Sequence, residues 1–417
     1  MKCYKNKNKN KILYIHHGKG LGGAPLSLLY LIKSLDTTKY HPVVLFLHQS
    51  EIIDIYKTHN IETYGPTNTY DFPHTKIWWF RWYHAPYLVR TILDTSKTYF
   101  YVAQQWLDLI KPDIVHLNTS SLIAWGMVAR KKKIPVVWHI REPLAPGYLG
   151  VRKKIITSCV KKYSTTIIPI CYNDAIPWAH ESKTQVIYNA VDPVIFKFKA
   201  KHPTRPKTIL FLGGLSQEKG TLVIFQAFEK LLQRMPEARL LVAGYFDLSQ
   251  YSGYSPQASS RSSFGSFLRP DRYLQNFLPA SRYKKTVHNV FKKIGPATTL
   301  LGPITNVPEI MSLCDVIVFP ATVGHFARPV IEAGFMKKPV IASALAPLDE
   351  LVIDGQTGFL VNPCQIDSWT DRLYEVLSNQ TLATSMGEQA YTYCLDKFSL
   401  EKHMYKIEKI YSHIQKK

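Results

Sequence analysis

Apolar residues fall along this chain in two alternating rhythms. Short runs such as Ile12–His16, Val43–Leu47, Ile114–Leu117, Val136–His139 and Thr166–Ile170 read as strands buried on both faces, and Val186–Tyr188 continues the series. Between them stand longer stretches with helical spacing, Pro25–Leu35 among them. Strands alternating with helices predict a parallel sheet covered on both sides. Phe196–Lys207, with Pro203 and Pro206, reads as a linker. The rhythm then restarts: strand Thr208–Leu212, turn Gly213–Gly220, helix Thr221–Arg234 with Val223, Ile224, Ala227, Phe228 and Leu231 on one face, and strand Leu240–Ala243. Strands Val316–Phe319 and Val340–Ala342 flank a helix opened by Pro329 and closed by Lys337–Lys338–Pro339. Proline suits a first helical turn because its φ is already set and its missing N–H would lack a partner there. The expected architecture is α/β: two Rossmann-like, doubly wound parallel-sheet domains, 1–198 and 199–398, facing across a cleft. A final helix within 399–417 is expected to pack back on the first domain. Tyr245–Arg272, rich in Ser, Tyr and Gly, breaks the pattern and predicts an irregular insertion at about 245–292.

Composition bears this out in size. At 417 residues the chain exceeds what one core sustains, and 46% hydrophobic content argues against disorder. Charge adds a constraint: 52 Lys and Arg against 30 Asp and Glu leave a net +22, which favours anionic partners. Nucleic acid, acidic headgroups and phosphorylated substrates all qualify on charge alone. The six cysteines are scattered without a C-x-x-C pair, which argues against a disulfide framework or zinc site. No run of about 20 apolar residues predicts a membrane span. The expected location is cytoplasmic, peripheral on the inner face of a membrane. Trp78, Trp79, Phe80, Trp82, Tyr83, Tyr87, Tyr99, Phe100, Tyr101 and Trp106 stand near Arg81, Arg90 and Lys97, with basic clusters at Arg130–Lys133, Arg152–Lys154 and Lys161–Lys162. Such a set suits an anionic membrane surface, an acceptor groove or an aromatic core. No recognisable nucleic-acid motif accompanies it, so nucleic acid is not an expected partner.

Three strand-to-helix turns are candidate chemistry. Gly22–Gly23 follows the first strand, where backbone N–H groups can approach an anion or simply make a tight turn. Lys219 precedes a helix start, where a cation meets the positive end of the helix dipole; a bound phosphate would resolve that tension, and the alternative is a solvated surface lysine. Glu332, one turn into the apolar Pro329 helix, needs a partner if buried: a ligand hydroxyl or a nearby basic side chain.

Together these segments resemble the retaining group 1 (family 4) glycosyltransferases of the GT-B fold. The turn from Gly213 to Gly220 (GGLSQEKG) is similar to that family's G-R-L-x-x-E-K-G, Val186–Asp192 to its V-I-x-N-G-V-D, and Glu350–Val361 (ELVIDGQTGFLV) to its E-(I/L)-V-x-D-G-x-T-G-x-L-V. Leu301–Gly302–Pro303, Val307–Pro308 and Cys314–Val316 match its F-L-G…V-P…A-D-V stretch. The resemblance implies that Lys219 holds the donor diphosphate, with Gly213, Gly214 and Ser216 in the same turn. Glu332 would bond the donor ribose, and Gly302, Pro303 and Ile304 would flank the base. His325, Phe326, Arg328, Pro329 and Val330 would complete the donor site. His139, at a strand end in the first domain, would touch the donor sugar, and Gly22–Gly23 its phosphates. Two positions depart from the family: Gly324 stands where E-x7-E has its first glutamate, and Gly214 where the turn has arginine. Implied overall is transfer, with retention, from a UDP- or GDP-linked sugar to a saccharide or lipid-linked acceptor, with no cofactor and no metal. The alternative is a catalytically impaired sugar-nucleotide-binding homologue acting as an interaction or regulatory subunit.

Overall fold

A computed structural model of the chain describes residues 9–18, 23–69, 85–144, 150–197, 206–244 and 279–416. The chain divides into two compact units, Met1–Asp192 with Lys397–Lys417, and Pro193–Asp396.

In the first unit, β1 (Asn10–His16), β2 (Tyr40–Phe46), β3 (Glu62–Tyr64), β4 (Ile114–Leu117), β5 (Val136–Ile140) and β6 (Thr166–Pro169) form a parallel sheet in the order β3-β2-β1-β4-β5-β6. Alternate residues of β1 feed two separate cores. Ile12 and Tyr14 join Leu28 and Ile32 of helix Gly23–Lys33, and Met404, Ile407, Ile410 and Tyr411 of helix Leu400–Gln415. Leu13 and Ile15 join Leu107, Trp125, Val128 and Val160 on the opposite face. Burial on both faces is why these strands read as continuous apolar runs. Gly126 permits the tight fit of helix Ile123–Lys131 on the sheet, since a Cβ there would lie 2.5 Å from Trp138 Cζ3.

The second unit repeats the plan with β7 (Thr208–Leu212), β8 (Arg239–Ala243), β9 (Thr298–Gly302), β10 (Val316–Phe319), β11 (Val340–Ser343) and β12 (Gly358–Val361), in the order β12-β11-β10-β7-β8-β9. Helix Thr221–Arg234 packs Ile224, Phe228 and Leu231 on Ile209, Phe211 and Val242. In each sheet the winding reverses beside the first strand, at β1/β4 and β7/β10, which is where such folds place ligands at strand C-termini.

Two expectations change. Val186–Tyr188 is extended beside β6 but is not a strand of the sheet. Gln185 and Ile187 donate to the carbonyls of Ile167 and Pro169, yet Pro169 has no N–H to return, so the regular ladder stops at the Ile167–Thr184 bridge. An irregular segment reaching 292 is also corrected: Pro279–Ile294 is a helix, and its Val287, Val290 and Ile294 recur at helical spacing and enter the core. Residues 245–278 lie outside the described residues. Among the described residues no helix is long and apolar enough to cross a membrane.

Candidate functional site

The loops after β7 and β10 interlock. Thr322 donates through its backbone to Glu218 O (2.9 Å) and through its hydroxyl to Gln217 O (2.8 Å). Gly220, at φ 78°, allows this approach, because a Cβ would fall 1.7 Å from Pro320 O. The interlock brings Lys219 Nζ to 2.6 Å from His325 Nε2 and 5.7 Å from the centre of the Phe319 ring. Lys219 is the donor; His325 Nδ1 in turn bonds Val323 O at 2.9 Å, so the ring is neutral with its hydrogen on Nδ1. Burial, then the Lys219 charge, pushes His325 down to about 4, and burial lowers Lys219 from the ordinary lysine value. A half-buried cation with one neutral partner is a receptive point for an anionic oxygen.

Gly213 and Gly214 both donate their amides to Ala243 O (3.1 and 3.0 Å), so these N–H groups hold the turn on β8. Gly214 sits at φ 72°, and Gly244 packs so closely that a Cβ there would lie 2.4 Å from Gly214 N. An arginine at 214 would meet a left-handed backbone, which explains in part why glycine stands there. Ser216 accepts from Lys219 N at 3.2 Å and shapes the turn. Gly302 ends β9 at φ 72°, followed by exposed Pro303 and half-buried Ile304.

Arg328 and Pro329 open the helix Arg328–Phe335, with Val330 and Glu332 buried inside it. Arg328 Nε donates to Glu332 Oε1 at 2.6 Å, so the carboxylate has a basic partner one turn away. Burial still pushes the Glu332 carboxyl above its ordinary value, and Arg328 partly offsets that. Gly324 is enforced by packing: a Cβ at this position would lie 1.9 Å from Ala346 O. Half-buried Phe326 lies between His325 and the helix. Lys337, at φ 53°, makes the left-handed exit from the helix.

The first unit holds a buried polar network at the C-terminal ends of β1, β4 and β5. His16, His116, His139 and Asn118 are fully buried, and Arg141 is 9% exposed. Arg141 donates from Nε to Asn118 Oδ1 and from Nη1 to Asn189 Oδ1, each at 2.5 Å. His139 Nδ1 lies 3.1 Å from His116 Nε2, and His116 Nδ1 lies 2.6 Å from Tyr411 Oη. His403 stacks beside His139 with ring centres 6.5 Å apart and bonds Tyr188 O. Burial, reinforced by Arg141, lowers all four histidines: His16 to about 3, His403 to about 4, and His116 and His139 well below their ordinary value. They are neutral at pH 7. Of this network the sequence marked His139, and Asn189 within a motif. Polar residues closing apolar strands, such as His16, were a signal for the rest.

Gly23 opens the helix after β1, whereas Gly22 lies outside the described residues. The aromatic group is also only partly described. Phe100 and Tyr101 are 60% and 65% exposed, while Tyr99 packs on Phe100 and Trp106 on Tyr64. Trp78 to Tyr83, and the side chain of Tyr87, lie outside the described residues. Among the described residues no three His, Cys, Asp or Glu side chains are grouped to hold a metal ion.

Residues 195–393 match the family model "Glycosyl transferases group 1". The chain is similar to D-inositol 3-phosphate glycosyltransferase of Corynebacterium aurimucosum, 27% identical over 214 residues, which are 50% of this chain and 44% of that protein. It is also similar to the lipopolysaccharide 1,2-N-acetylglucosaminetransferase of Salmonella typhimurium, 25% identical over 46% of this chain and 45% of that protein. The chain thus spans less than half the length of these curated relatives. Its fold is similar to the crystal structure of Anabaena Alr3699/HepE in complex with UDP and glucose, with TM-score 0.70 and 18% identity over 97% of this chain and 99% of that one. A glycosyltransferase from Rickettsia africae gives TM-score 0.72 and 18% identity over 98% and 99%. Residues 195–393 of this chain thus match the model of the glycosyl transferases group 1 family, and the two units have the fold of GT-B glycosyltransferases.

Proposed function

We propose that this protein transfers a sugar from a nucleoside-diphosphate donor to a saccharide or lipid-linked acceptor. The observation that carries this is the pairing of Lys219 with a neutral histidine on interlocked loops, beside a helix opened by Arg328, within the family-matching segment. Transfer requires the departing diphosphate to be stabilised as it gains charge, and preorganised cations at a helix N-terminus do that. Lys219 would bind the phosphate oxygens, which restores the proton affinity that burial lowers. Glu332, held by Arg328, would take a ribose hydroxyl. UDP is the favoured nucleotide, because the HepE structures contain UDP or UDP-glucose. Retention without a covalent nucleophile or a metal is part of the proposal.

Thermal shift with a panel of nucleotide sugars, followed by transfer assays, tests it. A bound donor at about 100 times its Kd adds roughly 2.7 kcal/mol of stability. Lys219→Ala is expected to lower transfer about 100-fold or more. Unchanged turnover in both Lys219→Ala and Glu332→Ala would refute the site. A non-catalytic, donor-binding reading is favoured by one observation, the glycine at 324 where the family has an acid, and it predicts a thermal shift with no turnover. A peripheral membrane role is proposed for the surface bearing Val89, Ile92, Leu93, Phe100 and Tyr101, all more than half exposed, with Arg90 and Lys97. Pelleting with anionic liposomes at low salt is its measurement, and absence of binding there would end it.

A further inference from the structure

We infer that Tyr411 and His116 are positioning residues for His139, fixing it as the neutral Nε2–H tautomer so that it offers one hydrogen-bond donor to a sugar hydroxyl. The direction of each proton is assigned from one group that can only donate. Arg141 Nη2 lies 3.4 Å from His139 Nδ1, and a guanidinium has no acceptor, so this nitrogen carries a lone pair. His116 Nε2, 3.1 Å from the same atom, must then be N–H, which leaves His116 Nδ1 as an acceptor. Tyr411 donates to it at 2.6 Å, and Tyr14 Oη donates to Tyr411 at 3.0 Å. All four rings are buried.

The relay therefore ends on His139 Nε2–H. That nitrogen is buried and has no hydrogen-bond partner among the described residues. A buried donor left unpaired is costly, so an oxygen that comes within reach of it when a ligand binds is favoured. The inference rests on the proposed glycosyl transfer only for the identity of that oxygen. Tyr411 stands on helix Leu400–Gln415, 295 residues from His116, so the last helix sets the polarity of a histidine at the end of β5.

Histidine-selective 15N labelling of the full chain, without ligand at neutral pH, tests the assignment. Two-bond nitrogen–proton correlations distinguish protonated from unprotonated ring nitrogens, and His116→Gln and His139→Gln assign the two signals. Both rings are expected as Nε2–H. Tyr411→Phe should give His116 a population of Nδ1–H and weaken the Nε2–H signature of His139. In transfer assays it should lower kcat/KM about fivefold to tenfold, the scale of one neutral hydrogen bond. In the His139→Gln background the same change should cost nothing further, whereas a purely structural role would give additive losses. The proposal is overturned by a wild-type His139 in the Nδ1–H form, by unchanged histidine spectra in Tyr411→Phe, or by additivity. Should that variant fail to fold, the wild-type spectrum alone decides. The expected spectra with no transfer from any nucleotide sugar would support the tautomer and count against the glycosyltransferase reading alone.

Discussion

At the scale of single residues, the departure from the family pattern at Gly324 has a steric cause. Gly324 backs onto the Ala346 carbonyl, so its replacement by glutamate must displace backbone rather than restore an acid. Gly324→Glu, and Gly324→Ala as the minimal test, should each destabilise the second unit by about 1–3 kcal/mol, the cost of overpacking, with no gain in transfer. Chemical denaturation measures this, and a stable Gly324→Glu protein with a gain in the proposed transfer would contradict it. Glu332→Gln leaves the part-buried Arg328 beside a neutral amide that can still accept its Nε–H, and weakening a charged hydrogen bond costs about 1.5–3 kcal/mol. Its effect on the proposed transfer is therefore best read from protein shown to be folded. Glu332 was legible as a buried acid needing a partner. That the partner includes Arg328 follows from i,i+4 geometry once the helix begins at Arg328.

At the scale of elements, β-α alternation was readable because strands buried on both faces leave unbroken apolar runs. The short strand β3, half-buried throughout, left no such run. The helix Pro279–Ile294 was hidden by the Ser-rich stretch before it and by the many lysines on its outer face, although its apolar stripe is regular. The last helix carries Met404, Ile407, Ile410, Tyr411 and Ile414 into the core of the first unit. Ending the chain after Phe398 should therefore expose Ile12, Tyr14 and Leu28 and abolish cooperative unfolding of that unit. Proton NMR dispersion and calorimetry would reveal it. A truncated protein with an unchanged melting transition would show that the helix is dispensable.

At the scale of the whole molecule, the buried histidines make stability depend on acid. His16, His116, His139 and His403 have native values below that of the unfolded chain, so the unfolded state binds more protons beneath about pH 6.5. Their contribution is complete above that pH and is lost as pH falls toward 4, by up to about 1.4 kcal/mol per pH unit for each histidine. Urea unfolding at pH 7.5, 6 and 5 should show the decline, and His403→Gln should make it shallower. Equal stability at all three would exclude neutral buried histidines. The net charge of +22 points to anionic ligands without choosing one.

The sequence by itself determined the two α/β repeats, the turn bearing Lys219, the Pro329 helix and the family resemblance. Each is written in local spacing, where periodicity and turn chemistry act within a dozen residues. Only the tertiary structure decided what those residues meet: His325 against Lys219, Ala346 against Gly324, and Tyr411 against His116. Those contacts join residues far apart in the chain, and their selection depends on strand order and close packing, which no local pattern records.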